Sequence, residues 1–276
     1  MPDLEHVVDT PQPVHLYVEV PAGSVRVHLT DTTTSRVELS GRDAEQVSVT
    51  LEGDDLAVVA PKHASRLLGR QHEVDVVVTV PEASDVAGRT GSGDITVTGE
   101  AGRVALRSGS GDVLVEVVGG EGRVETGSGA VRVGQVRDEL AVKCGSGDVV
   151  LDLVEAATVV STGSGDVVVA RAAATVAVKT GSGDIRVVDA LDDVRTTTGS
   201  GDLELVTVHR GRVGAKTASG DVRVGVVAGV PVFTDIQTVS GRISSGLQGG
   251  GRPTEGQDHV ELRATTVSGD VVLTER

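Results

Sequence analysis

The chain has 276 residues and a formal net charge of −15, from 40 acidic and 25 basic side chains. That balance sets repulsion against phosphate backbones and anionic bilayers, and no basic stripe interleaved with aromatics offers nucleic acid a stacking platform. Tyr17 and Phe233 are the aromatic residues and Trp is absent, so the core must come from Leu, Ile, Ala, Thr and 56 Val; β-branched excess predicts strands, and the single Cys144 excludes a disulfide framework.

The opening MPDLEHVVDT lacks the basic and apolar regions of a secretory signal, and nowhere do 18 consecutive apolar residues occur. A cytoplasmic protein without membrane insertion is the expectation. Residues 1–84 then alternate without a strict period. Val14 to Val20, Val25 to Leu29, Val37 to Leu39, Val47 to Leu51 and Val74 to Val80 read as strands. PAGSVRV around Ser24 looks like a worn copy of the turn that follows, and His63 to Gln71 is a weak helical candidate. The region is expected to form a degenerate N-terminal β cap, because a repeat array must cover its open edge.

From residue 85 a repeat takes over. GSGD ends at Asp94, Asp112, Asp148, Asp166, Asp184 and Asp202, and GSGA puts Ala130 in the missing slot, so the series keeps a constant interval of 18. ASGD, VSGR and VSGD then end at Asp221, Arg242 and Asp270, at intervals of 19, 21 and 28. Each unit reads as two short strands and two turns. Between Thr175 and Asp192, Val176, Val178 and Thr180 alternate with Ala177 and Lys179, and Ile185 and Val187 flank Arg186. The turn glycines Gly93, Gly111, Gly129, Gly147, Gly165, Gly183, Gly201, Gly220, Gly241 and Gly269 are expected to supply positive φ.

An antiparallel meander would set unlike positions side by side, whereas a solenoid stacks equivalent ones. The fold expected is therefore an all-β, flattened parallel β-solenoid (β-helix) of about 18 residues per rung over residues 85–276. A Gly-rich loop, 243–259, interrupts its last rungs, and cap and solenoid make one continuous elongated domain. The units T-G-S-G-D-[VIL]-x-V, preceded by VPEASDVAGRT, resemble the bacterial putative-adhesin β-strand-repeat family, most clearly over Asp85 to Leu273. The resemblance implies a β-solenoid with no catalytic residues to carry over, and it alone admits an envelope-associated role.

Three residue sets could carry chemistry. Stacked carboxylates at Asp148, Asp166, Asp184 and Asp202 repel one another, and calcium could neutralise them. The spacing departs from the calcium-binding nonapeptide repeat, so capping of turn amides is the preferred reading; Arg89, Arg107, Lys143, Lys179 and Lys216, five positions before an Asp or its slot, would offset the repulsion. Thr162, Ser164, Thr180, Ser182, Thr198 and Ser200 would need a base to act as nucleophiles. His6, His15, His28, His63, His72, His209 and His259 lie outside the main array or at its edge, so backbone-bonded hydroxyls are expected instead. Cys144 fills a Thr/Ser slot and reads as a small buried filler.

The function expected is a non-enzymatic scaffold or protein-interaction module of unknown partner, without cofactor or catalytic residues. A calcium-dependent binding module is the alternative, and an enzyme with an unrecognised site comes third. Self-association, if it occurs, is expected through the C-terminal rung, Val260 to Arg276.

Overall fold

The computed structural model describes residues 4–61, 73–248 and 256–276. The helical candidate from His63 to Gln71, and His72, lie outside them. The chain divides into two compact units, Met1–Leu140 and Ala141–Arg276.

The first unit contains β1 (Leu4–Asp9), β2 (His15–Val20), β3 (Val25–Thr30), β4 (Thr34–Ser40), β5 (Ser48–Glu52), β6 (Asp55–Val59), β7 (Asp75–Pro81), β8 (Asp85–Thr90), β9 (Ile95–Ala101), β10 (Val104–Ser108), β11 (Val113–Val118), β12 (Gly122–Thr126) and β13 (Val131–Val136). Its one helical turn among the described residues is Ala44–Gln46. β14 (Leu140–Cys144) straddles the division. The second unit contains β15 (Val149–Val154), β16 (Thr158–Thr162), β17 (Val167–Ala172), β18 (Val176–Thr180), β19 (Ile185–Ala190), β20 (Val194–Ser200), β21 (Leu203–Val208), β22 (Gly211–Ser219), β23 (Val222–Val226), β24 (Val232–Ser240), β25 (Ile243–Ser245), β26 (Val260–Ser268) and β27 (Val271–Glu275).

From β6 onward, consecutive strands alternate between two sheets. Parallel pairing superimposes positions one repeat apart: Val167 lies beside Ile185 and Ile185 beside Leu203. In the facing sheet Thr158, Val176 and Val194 stack likewise. This is the solenoid, and the meander is excluded. Alternation decides the faces: Val176, Val178 and Thr180 are buried while Lys179 is exposed. The core is a layer of Val and Leu between the sheets, and both aromatics stay outside it, Tyr17 being 36% and Phe233 49% exposed.

The ends do not follow chain order. In the first unit the sheets run β1-β4-β7-β3-β9-β11-β13 and β5-β6-β2-β8-β10-β12. β2 and β3 stack directly on β8 and β9, with β6 and β7 as the next parallel rung outward. Beyond them β4, β1 and β5 run antiparallel, which a series of degenerate rungs does not predict. β1 and β6 are strands that the sequence pattern leaves unassigned.

In the second unit the sheets run β15-β17-β19-β21-β23-β27-β25 and β16-β18-β20-β22-β26-β24. The chain skips one rung after β23, lays down β24 and β25, and returns to fill the gap with β26 and β27. The C-terminal rung is therefore interior, contrary to its expected place at the edge, and Ile243–Ser245 is a strand rather than loop. Burial explains the order. Inward positions of β26 and β27 carry Val260, Leu262, Ala264, Val271 and Leu273, against Val232, Thr234, Ile236, Ile243 and Ser245 in β24 and β25. Ile236 opposes the order at Ala264, but Leu262 against Thr234 and Leu273 against Ser245 each gain about 1.5–3 kcal/mol by enclosure. Leu262→Ala is expected to cost about 2–5 kcal/mol, whereas Thr234→Ala, same position one rung outward, is expected to leave the urea midpoint nearly unchanged. Equal costs would contradict this order.

Candidate functional site

The repeated turn is built from three ladders. The first is backbone. At Gly165 a Cβ would lie 1.9 Å from the Gly147 carbonyl oxygen, and at Gly241 it would lie 1.9 Å from that of Gly269. Of the ten turn glycines only Gly201, Gly220 and Gly269 have positive φ, at +154°, +146° and +153°. The expected reason for glycine is thus corrected: rungs approach too closely to admit any side chain.

The second ladder is hydroxyl. The N–H of Gly111 donates to Ser108 Oγ (2.8 Å) and that of Gly165 to Thr162 Oγ1 (3.2 Å). Thr180 and Thr198 donate to the carbonyls of Gly165 and Gly183, one rung back (3.3 and 3.1 Å). Cys144 bonds within its own turn, its sulfur donating to the Gly147 carbonyl (3.0 Å) and accepting the Gly147 N–H (3.1 Å). These buried groups are engaged by backbone and present no nucleophile, while Ser164, Ser182 and Ser200 are exposed at the turn.

The third ladder is carboxylate. Asp184 Oδ1 accepts the Asp202 N–H (2.8 Å), Asp166 that of Asp184 (2.8 Å) and Asp148 that of Asp166 (2.9 Å). The series continues to Asp221, Asp270 and finally Arg242, following the threaded order. Each Asp thus caps the next rung. The cation on this ladder is Arg223, which donates to Asp202 (3.1 Å) and Asp221 (2.7 Å). The hydrogen bond to Asp202, with the charges of Asp221 and Glu204, raises its pKa despite some burial. Lys179 and Lys216, assigned to that task from spacing, instead project from the outer face of the facing sheet.

The histidines stay apart. His15 meets Asp85 (3.1 Å) and His209 meets Asp189 (2.7 Å). His28 Nδ1 lies 2.8 Å from Thr98 Oγ1, but no described carboxylate orients the ring, and a nucleophile–base pair needs that third group. Among the described residues no three His, Cys, Asp or Glu side chains come together as metal ligands.

One concave feature of the second unit has a distinct chemistry. On the outer face of β18, β20, β22, β26 and β24 lies a groove of about 630 Å³. Its cause is local. Gly214 sits in register between Arg195 and Arg263, so an absent side chain opens a slot between two long ones. Ala177, beside Arg195, continues the low floor, and Val159, 56% exposed, is its neighbour on β16 beyond the groove. Phe233 bounds the far side, edge-on to His259 at 5.9 Å.

Three cations and three carboxylates line the groove, Arg195, Arg212 and Arg263 with Asp193, Asp235 and Glu261. Arg263 is held by Asp235 (3.0 Å) and Arg212 lies 3.9 Å from Glu261. Arg195 and the adjacent Lys179 and Lys216 form no ion pair with a described residue. Gly214 lies outside the turn motif, so sequence reasoning passes over this site; the available signal is a Gly where neighbouring rungs carry Arg.

No curated protein matches the chain. Among solved structures it is similar to a putative adhesin of Bacteroides fragilis (10% identity, 99% of this chain and 96% of that one, TM-score 0.48). It is also similar to a putative adhesin of Parabacteroides distasonis (12% identity, 98% and 96%, TM-score 0.43). A putative lipid binding protein of the same species follows (11% identity, 99% and 96%, TM-score 0.38). The family described as Toastrack DUF4097 matches residues 15–274, and the chain belongs to that family.

Proposed function

We propose that the chain is a non-enzymatic interaction scaffold whose groove at Gly214 takes an acidic segment of a partner protein. The observation that carries this reading is a set of cations with no ion-pair partner among the described residues, in a chain of net charge −15: Arg195 lines the groove, and Lys179 and Lys216 stand beside it on the same outer face. A local cluster opposed in sign to the rest of the surface selects a partner of acidic character and orients it. The engagement of the buried Thr and Ser hydroxyls by backbone speaks against acyl-transfer chemistry at the turns.

The test uses a labelled peptide of alternating Glu and Leu at low salt. Gly214→Glu fills the slot with a carboxylate, and its Cβ meets nothing closer than Arg195 Cγ at 3.8 Å, so the fold is kept. Gly214→Glu and Arg195→Glu are each expected to weaken binding about tenfold or more, about 1.4 kcal/mol, with unchanged melting temperature. Equal binding by parent and variants, or none by the parent, would overturn the assignment. A rise in melting temperature with millimolar calcium, absent with magnesium, would move the function to the aspartate ladder, because a ligand of the folded state stabilises by RT ln(1 + [L]/Kd).

A further inference from the structure

β24 is an open edge. Among the described residues it pairs with β26 alone. The Val260 N–H donates to the Pro231 carbonyl (3.0 Å); in a parallel ladder this sends the backbone groups of Phe233, Asp235 and Gln237 toward β26. The N–H and C=O of Thr234, Ile236 and Thr238 therefore point away from the sheet, and such a row recruits another strand.

The sequence of that edge is self-complementary. Reading outward from Ile236, Asp235 mirrors Gln237, Thr234 mirrors Thr238 and Phe233 mirrors Val239. A copy related by a two-fold axis through Ile236 would pair antiparallel. Thr234 would then exchange backbone bonds with Thr238, and Ile236 with its own mate. On the outer face Phe233, 49% exposed, would meet Val239, 82% exposed, at the closer non-hydrogen-bonded positions where cross-strand pairs contribute most. Asp235 would face Gln237, so no two carboxylates oppose one another.

Charge singles out this end further. Across 232–248 the charged residues are Asp235 and Arg242, which cancel, whereas the chain as a whole repels its copies. Four of the eight exposed large apolar side chains among the described residues, Phe233, Val239, Ile243 and Val267, also lie here. We propose that β24 is the seam of a symmetric dimer with a second copy of this chain, centred on Ile236.

Sedimentation across a concentration series is expected to show a monomer–dimer equilibrium. Thr234→Pro removes an N–H that faces the open edge, and is expected to weaken dimerisation about tenfold or more, while proline at such a position spares the pairing with β26. Register is read by disulfide trapping in a Cys144→Ser background, where Ser restores the residue found at position 108. Ile236→Cys places two Cα atoms about 5.5 Å apart, within bridging distance, and should oxidise to a covalent dimer. Thr234→Cys sets its mates about 14 Å apart and should not. A monomer at every concentration, or equal trapping at both positions, would overturn the proposal. A monomer with slowly exchanging Thr234, Ile236 and Thr238 amides would show that the edge is covered by the chain itself.

Discussion

Gly165→Val is expected to be among the most destabilising single substitutions at the turns. Its Cβ would sit 1.9 Å from the Gly147 carbonyl oxygen and 2.5 Å from the Gly147 carbonyl carbon. Neither obstacle is a side-chain end that can swing aside, so two rungs must part. Overpacking ordinarily costs about 1–3 kcal/mol; a branched side chain against backbone belongs at the upper limit or above it. Because each rung is supported by its neighbours, amide protection should fall on both sides of the substitution. Val168→Thr, half-buried on the outer face of the same rung, should be nearly silent. A urea midpoint for Gly165→Val equal to the parent's would mean that the stack of turns does not hold this spacing.

Deleting residues 1–84 is expected to make the chain aggregate. The deletion removes the strand that pairs with all six residues of β8, from Asp85 beside His15 to Thr90 beside Val20. It removes β3 from β9 as well, and with them the antiparallel β4, β1 and β5. Ser84, whose hydroxyl accepts the Val14 N–H at 3.0 Å, goes too. Two parallel edges backed by Val86 and Ile95 would then be bare, and bare edges template pairing between chains. Light scattering of the truncated chain reads the outcome directly. A soluble, folded monomer would show that residues 1–84 do not protect the array.

The contrast between these two variants marks what the amino-acid pattern can convey. A strict period of 18 with apolar residues every second position leaves parallel stacking as the arrangement that puts Val beside Val, so the solenoid is readable from Asp94 to Asp202. The buried hydroxyl slot is readable too, because Thr, Ser and Cys144 recur where an apolar residue would be expected. Spatial order at the ends is not. The two terminal rungs carry similar alternation, and only the summed comparison, Leu262 with Thr234 and Leu273 with Ser245 set against Ala264 with Ile236, decides which lies inside. The turn glycines mislead because local sequence speaks to φ, whereas the constraint is the carbonyl of the neighbouring rung. The groove is hidden for a related reason. Arg195, Gly214 and Arg263 are remote from one another along the chain, and the fold alone makes them neighbours.

The aspartate ladder of the second unit gives its turn edge a polarity that bears on heredity. Each carboxylate serves the rung that follows, and each rung's amide is served by the one before, from Asp148 holding the Asp166 N–H at one extreme to Asp270 holding that of Arg242 at the other. Arg242 occupies the slot beyond which the series asks for no further acceptor, so a cation is tolerated there. A duplicated rung would arrive with its own acceptor for the next copy and its own amide for the last. Copy number can therefore drift by duplication or loss within the middle of the gene while both extremities keep their chemistry, and lineages are free to lengthen or shorten the array without inventing a new terminus.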